Sequence, residues 1–213
     1  MRKVNGGCAG LLRCGKGTTY EGGVRVPAIF HWKGMIRPGR STALFTALDV
    51  VPTFMSIIGQ SNVALEAHGQ DLSKTIFLHQ HQRNHFLYSP SNVDPNIGMM
   101  AIRAGKFKAH FYTEGSSLSD DSNYDQQCSS QTKLTKQSPP LLYDIEADPG
   151  ERYPLDPNVY NSTIFALVNL KDKLYKELPW APSEMNKGQR KEAFPCCKRS
   201  PLTCQPFPEC CDC

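Results

Sequence analysis

The residues best suited to chemistry lie in one stretch, Cys14-Gly15-Lys16-Gly17-Thr18-Thr19-Tyr20-Glu21-Gly22-Gly23-Val24-Arg25-Val26-Pro27. Lys16 is a single cation between two glycines. Glycine reaches positive φ without strain and lets a backbone come close to a ligand. An ammonium presented that way suits an anion of dispersed charge, such as phosphate or sulfate. Thr18, Thr19 and Tyr20 offer neutral donors beside it. The order is not that of a Walker phosphate loop, which requires Gly-x-x-x-x-Gly-Lys-Ser/Thr. By itself, Gly-Lys-Gly also fits a solvated hairpin. Glu21 and Arg25, four residues apart, read as an ion pair tying this loop to a sheet rather than as substrate ligands. His110 sits in a strand-like stretch and reads as a structural histidine rather than a general acid. His79, His81 and His85 carry a spacing that invites a metal reading, but no acidic partner lies nearby, so a solvated loop is the better reading.

The order Gly-Gly-Cys-x-Gly-Leu-Leu-Arg-Cys-Gly-Lys-Gly-Thr-Thr-Tyr-Glu-Gly-Gly-Val-Arg over residues 6–25 resembles the sulfatases, and within them the arylsulfatases. Further stretches carry the same resemblance in the same order: Leu48-Asp49-Val50-Val51-Pro52-Thr53, Gly69-Gln70-Asp71-Leu72-Ser73, Arg103 to Phe111, Leu141-Leu142-Tyr143-Asp144, and Asp148-Pro149-Gly150-Glu151. It covers nearly the whole chain. The implied fold class is α/β and alkaline-phosphatase-like. Residues 1–84 would be the closing part of the large catalytic domain. Residues 85–213 would be a small C-terminal domain with a four-stranded antiparallel sheet, a covering helix and a Cys-rich tail.

The resemblance makes Lys16 the substrate-binding residue, on the sulfate group. The implied chemistry is attack on sulfur by a hydrated formylglycine hydroxyl, with Lys16 neutralising charge on the sulfate oxygens. Formylglycine is made from the cysteine of a Cys-x-Pro-Ser-Arg motif, and calcium is held by acidic and amide side chains. Neither set occurs in these residues. The nearest mimic, Cys204-Gln205-Pro206, continues with Phe207 where Ser is required. The chain therefore reads as the C-terminal part of a sulfatase, with no catalytic and no metal-ligating residue of its own and no activity alone. The resemblance also pairs Cys14 with Cys128, which leaves Cys8 as the odd thiol. In the loop after Phe111, Leu118 stands where the most similar family members place a histidine near the substrate. An N-acetylgalactosamine-6-sulfatase-like enzyme or another hydrolase of the superfamily stays open as an alternative. A secreted Cys-rich module without catalysis stays open too.

Composition narrows the partners. At 213 residues, 39% hydrophobic and 21% charged, the chain has an ordinary globular make-up. A net charge of +4 with scattered basic residues gives no footprint for nucleic acid. No apolar run approaches the roughly 20 residues of a membrane span. Nine cysteines, including Cys196, Cys197, Cys204, Cys210, Cys211 and Cys213, fit an oxidising compartment. The adjacent pairs do not match zinc knuckles, so three bridges of open connectivity are expected in the tail. Asn161-Ser162-Thr163 is a glycosylation sequon and agrees with a secretory route, lysosomal or secreted. Met1 to Gly7 has no apolar signal-peptide core. The full-length protein is expected to be a homo-oligomer acting on a sulfate ester.

These residues need elements to position them. Val24 to Trp32 is β-branched and aromatic and predicts a strand. Ser41 to Gly59 carries apolar residues at helical spacing and predicts a helix kinked or broken at Pro52. Asp71 to Phe77 predicts a short helix. Phe86 to Ser89, Met99 to Ala104, Phe107 to Tyr112 and Leu141 to Ile145 predict short strands joined by turns, with Ala104-Gly105-Lys106 a hairpin turn. Gly115 to Pro140 reads as a long loop holding Cys128. Ser162 to Leu178 predicts a helix whose apolar stripe covers one face of the sheet.

Overall fold

The computed structural model describes residues 9–60, 69–80, 83–89, 96–116 and 125–178, all within one compact unit spanning 1–178. Its centre is a four-stranded antiparallel sheet of β1 (His85–Tyr88), β2 (Ala101–Ala104), β3 (Phe107–Thr113) and β4 (Thr135–Asp144), in the order β1-β2-β3-β4. Gly105, at φ +56, makes the tight turn between β2 and β3. The register aligns Leu87, Ile102, Ala109 and Leu142 in one cross-strand row. Side chains alternate along a strand, so the next row, Phe86, Arg103, Lys108 and Tyr143, points to the opposite face.

The first face is apolar. Helix α4 (Asn161–Glu177) lays Ile164 and Leu167 on it, against Ile102, Ala109, Phe111 and Leu142. Fully burying each of those two side chains contributes roughly 1.5–3 kcal/mol. Strand β4 begins at Thr135, inside the stretch read as loop. Its pairing jumps from His110↔Leu141 to Tyr112↔Lys136, and Pro139 and Pro140, which have no N–H to give, fall in the gap.

Two expectations for residues 24–59 need correction. Val24 to Trp32 forms no strand: Glu21–Val24 is a short helix, α1, and the backbone from Arg25 to Trp32 has no regular structure. A strand needs a neighbour for its N–H and C=O groups, and no described strand lies beside this segment. Its Val26 and Ile29 stay exposed. The second helix is also shorter than its apolar spacing suggested. A 3₁₀ turn, Ala47–Asp49, leads into α2 (Val50–Ile57), and Ser41 to Thr46 stay outside it. Asp49 fixes the start, because its carboxylate accepts the Thr46 N–H at 2.8 Å and the Thr46 hydroxyl at 2.9 Å. Pro52 therefore falls in the first turn, where a missing N–H breaks no helical bond.

Helix α3 (Ser73–Leu78) follows, close to its expected place. The buried Thr53 hydroxyl joins α2 to the chain before α3, accepting the Leu72 N–H at 2.9 Å and donating to the Gln70 carbonyl at 3.4 Å. Asp49 accepts the Gln70 N–H at 2.8 Å and is paired with Arg83, so the Leu48–Thr53 and Gly69–Ser73 stretches form one hydrogen-bonded unit. Those contacts, Arg83 foremost, hold the Asp49 carboxyl below the ordinary carboxylate range even though burial alone would raise it. Among the described residues, no helix is long and apolar enough to cross a membrane.

Candidate functional site

Lys16 lies at the exposed tip of the loop between Arg13 and Glu21, and among the described residues its ammonium has no hydrogen bond or ion pair. The loop beneath it is held rigidly. On one side, Cys14 is buried and disulfide-bonded to Cys128 across 114 residues of sequence. Next to it, Arg13 pairs with Asp125 at 2.6 Å, donates to the Glu151 carbonyl at 3.1 Å and to the Tyr143 hydroxyl at 3.3 Å, and lies 4.5 Å over the Tyr20 ring. Burial pushes the Tyr20 hydroxyl pKa upward, so that phenol stays neutral.

Within the loop, a turn closes from the Thr18 N–H to the Gly15 carbonyl at 3.2 Å, and the Thr18 hydroxyl donates to the same carbonyl at 2.9 Å. Gly17 takes φ +94, and a Cβ there would meet the Ser116 side chain, so any other residue would be strained and crowded. Gly22 is needed for a different reason: a Cβ would run into the carbonyls of Arg13 and Cys14.

On the other side of Lys16 the loop meets the second face of the sheet, which is buried but charged. Lys108 and His110 alternate with Ala109 and Phe111 along β3, so both project away from α4. Lys108 Nζ donates to Glu21 Oε1 at 2.9 Å and Glu151 Oε1 at 3.2 Å, and lies 4.9 Å over the Tyr88 ring. His110 Nε2 meets Glu151 Oε1 at 2.7 Å, and its Nδ1 meets the Thr19 hydroxyl at 3.2 Å. The remaining Glu151 oxygen accepts the Glu21 backbone N–H at 2.5 Å. Lys108, His110 and Glu151 are fully buried and Glu21 is 2% exposed. A buried charge is tolerated only when it is paired and hydrogen-bonded, and each of these is.

Glu151 is the hub. Burial alone would raise its pKa, but His110, Lys108 and the Glu21 N–H hold it below the ordinary carboxylate range. Burial pushes His110 down, by more than Glu151 lifts it.

Several sequence readings change here. Thr18, Thr19 and Tyr20 are turned inward and committed to the fold, so they are not donors beside Lys16. Glu21 does tie the loop to the sheet, but through buried Lys108; Arg25 is half-exposed and reaches Glu21 only at 4.0 Å. His110 is a hydrogen-bonded structural histidine, as read. His79 and His85 lie apart from this cluster, at the end of α3 and the start of β1, while His81 is outside the described residues. Asn161 opens α4 on the exposed surface. Cys8, Leu118 and the six tail cysteines lie outside the described residues.

Reasoning from sequence missed Arg13, Lys108 and Glu151. No local signal marked Lys108 as buried, because alternation with Phe107 and Ala109 is also the pattern of a solvent-facing strand residue. Among the described residues, no group of three His, Cys, Asp or Glu side chains is placed to hold a metal ion.

A Gly-Lys-Gly loop is thus clamped to a four-stranded sheet backed by one helix. Residues 79–212 match the family described as the C-terminal region of aryl-sulfatase, and the chain belongs to the sulfatases. It is 40% identical over its whole length to arylsulfatase A of Homo sapiens and 39% identical to that of Bos taurus, spanning 43% of the length of each. The PsFucS1 sulfatase from Pseudoalteromonas shares the fold at a TM-score of 0.60, with 20% identity over 78% of this chain and 32% of that one.

Proposed function

We propose that this chain serves the hydrolysis of sulfate esters, in the manner of an arylsulfatase, and that Lys16 is its sulfate-binding residue. The observation that carries the proposal is the exposed ammonium, without a partner among the described residues, at the tip of a loop clamped on both sides. A cation held in place by its loop stabilises developing anionic charge with little reorganisation. The 40% identity to arylsulfatase A across the full chain supports sulfate as the anion. Residues 1–84 would then belong to the large catalytic domain and 85–213 to the small one. Calcium and the formylglycine nucleophile would be supplied by polypeptide outside these 213 residues. A secretory route to the lysosome or the cell exterior, glycosylation at Asn161 and homo-oligomerisation complete the proposal.

The test is Lys16→Ala in a sulfatase polypeptide that carries this chain together with a formylglycine-bearing portion. Hydrolysis of a chromogenic aryl sulfate should fall about 10²–10³-fold in kcat/KM. The thermal midpoint should not move, because among the described residues the Lys16 ammonium makes no hydrogen bond or ion pair. Unchanged turnover would make the loop a solvated hairpin and overturn the proposal.

A further inference from the structure

The contacts on either side of Lys16 differ in kind. Before it stands a covalent tie, the Cys14–Cys128 disulfide. After it stands a polar one, Thr19 to His110 to Glu151. The direction of that second tie follows from acid–base chemistry. Glu151 is ionised and fully buried, so its oxygens only accept. His110 Nε2 must therefore carry a proton and donate to Glu151 Oε1. With the imidazole neutral, Nδ1 is a lone pair and can only accept, so the Thr19 hydroxyl donates to it. Lys108, shared between Glu21 and Glu151, and the Glu21 N–H on Glu151 Oε2 fix the carboxylate at the end of this chain. The Tyr20 ring, 4.8 Å from the imidazole, and the Tyr143 ring, 5.8 Å away, leave it little room to turn. Each link is oriented by the next, and the last touches the loop three residues from Lys16.

We propose that Thr19 is a positioning residue for Lys16, with His110 and Glu151 behind it, and that the Thr19 hydroxyl sets the affinity of the site for the sulfate group by fixing where the ammonium stands. The inference rests on Lys16 being the sulfate-binding residue. None of the three side chains touches the anion; they act through the backbone of the loop. Without the Thr19 bond the loop keeps its ties at Cys14 and Glu21 but loses the anchor nearest to Lys16 on its far side, so the ammonium spreads over more positions and binding loses part of the advantage of preorganisation.

The experiment uses the same sulfatase polypeptide and two probes, inorganic sulfate as a competitive inhibitor and a chromogenic aryl sulfate as substrate. Thr19→Val removes the hydroxyl and keeps the shape; Thr19→Ser keeps the hydroxyl. One neutral hydrogen bond of this kind predicts that Thr19→Val raises Ki for sulfate and KM for the ester about three- to tenfold. Thr19→Ser should stay within about twofold of the parent. If Thr19→Val does not fold, Thr19→Ala carries the same comparison.

The decisive arm is the double variant. If Thr19 acts through Lys16, then adding Thr19→Val to Lys16→Ala changes Ki for sulfate no further. Three results overturn the inference: Ki unchanged in Thr19→Val, Thr19→Ser as weak as Thr19→Val, or an equal additional loss in the Lys16→Ala background. A Lys16→Ala protein that binds sulfate as the parent does would sink the sulfate-binding reading itself, and the inference with it.

Discussion

Neutralising Glu151 should destabilise the fold far more than its side-chain size suggests. Glu151→Gln keeps the shape but removes the anion and turns an amide N–H₂ toward a group that donates. The carboxylate now accepts from the Glu21 N–H at 2.5 Å, His110 Nε2 at 2.7 Å and Lys108 Nζ at 3.2 Å, with no exposure to water. Breaking a buried pair by removing one partner costs about 3–5 kcal/mol, because the other charge is left behind. Lys108 keeps Glu21 at 2.9 Å, which places the effect at the low end, about 3 kcal/mol. For a chain of this size each kcal/mol lowers the thermal midpoint by about 2–4 °C, so a fall of roughly 6–12 °C is expected. Calorimetry at pH 7 on parent and variant reads it directly. The fall should persist at pH 5, because the parent carboxyl is held below its ordinary value of 4.5 and stays ionised there. A loss under about 1 kcal/mol, the scale of a single neutral hydrogen bond, would mean that the carboxylate is not carrying the paired charge the geometry gives it.

Two further outcomes are expected. Asp49→Asn should cost about 3–5 kcal/mol in urea unfolding, because it strands Arg83, whose side chain is 6% exposed; a cost near zero would refute the pairing. Stability should also fall with acid. His110 is depressed from its ordinary 6.5 and Glu151 from its ordinary 4.5, so the unfolded chain binds more protons than the folded one. Stability is therefore complete above pH 6.5 and is lost as pH falls, first through the histidine and then through the folded pKa of the carboxyl. His110→Gln should flatten the upper limb of a plot of thermal midpoint between pH 7 and pH 5, and an unchanged slope would assign the acid loss elsewhere.

What sequence could show followed the range of the interactions involved. Strands β1 to β3 and helix α4 were legible because each has a local pattern, alternation in the strands and one apolar stripe in α4, set by its own neighbours. The strand predicted over Val24 to Trp32 was not, because β-branched composition states only a willingness to pair, and no described strand is beside it. The start of α2 was misplaced because Asp49 looks like an interior helical position, although Thr46 three residues before it is the local partner that marks the start. The Lys16 loop was readable from Gly-Lys-Gly and from family likeness. The network below it was not, because Lys108 between Phe107 and Ala109 has the look of a solvent-facing strand residue. Its cover comes from Glu21, 87 residues earlier, and Glu151, further along the chain. No window of local sequence contains all three.

Strand β3 faces an apolar helix on one side and a charge network on the other, and this gives its alignment two independent guards. In many sheets a one-residue slip moves apolar side chains into water, an error that a partly collapsed chain tolerates for a time. Here the same slip would carry the Lys108 ammonium and the His110 imidazole under Ile164 and Leu167, and push Ala109 and Phe111 against two buried carboxylates. Both halves of that exchange are prohibitive. A single-residue insertion or deletion between Phe107 and Phe111 is therefore barred more strictly than any substitution there, and evolution of this strand is confined to changes that preserve its count.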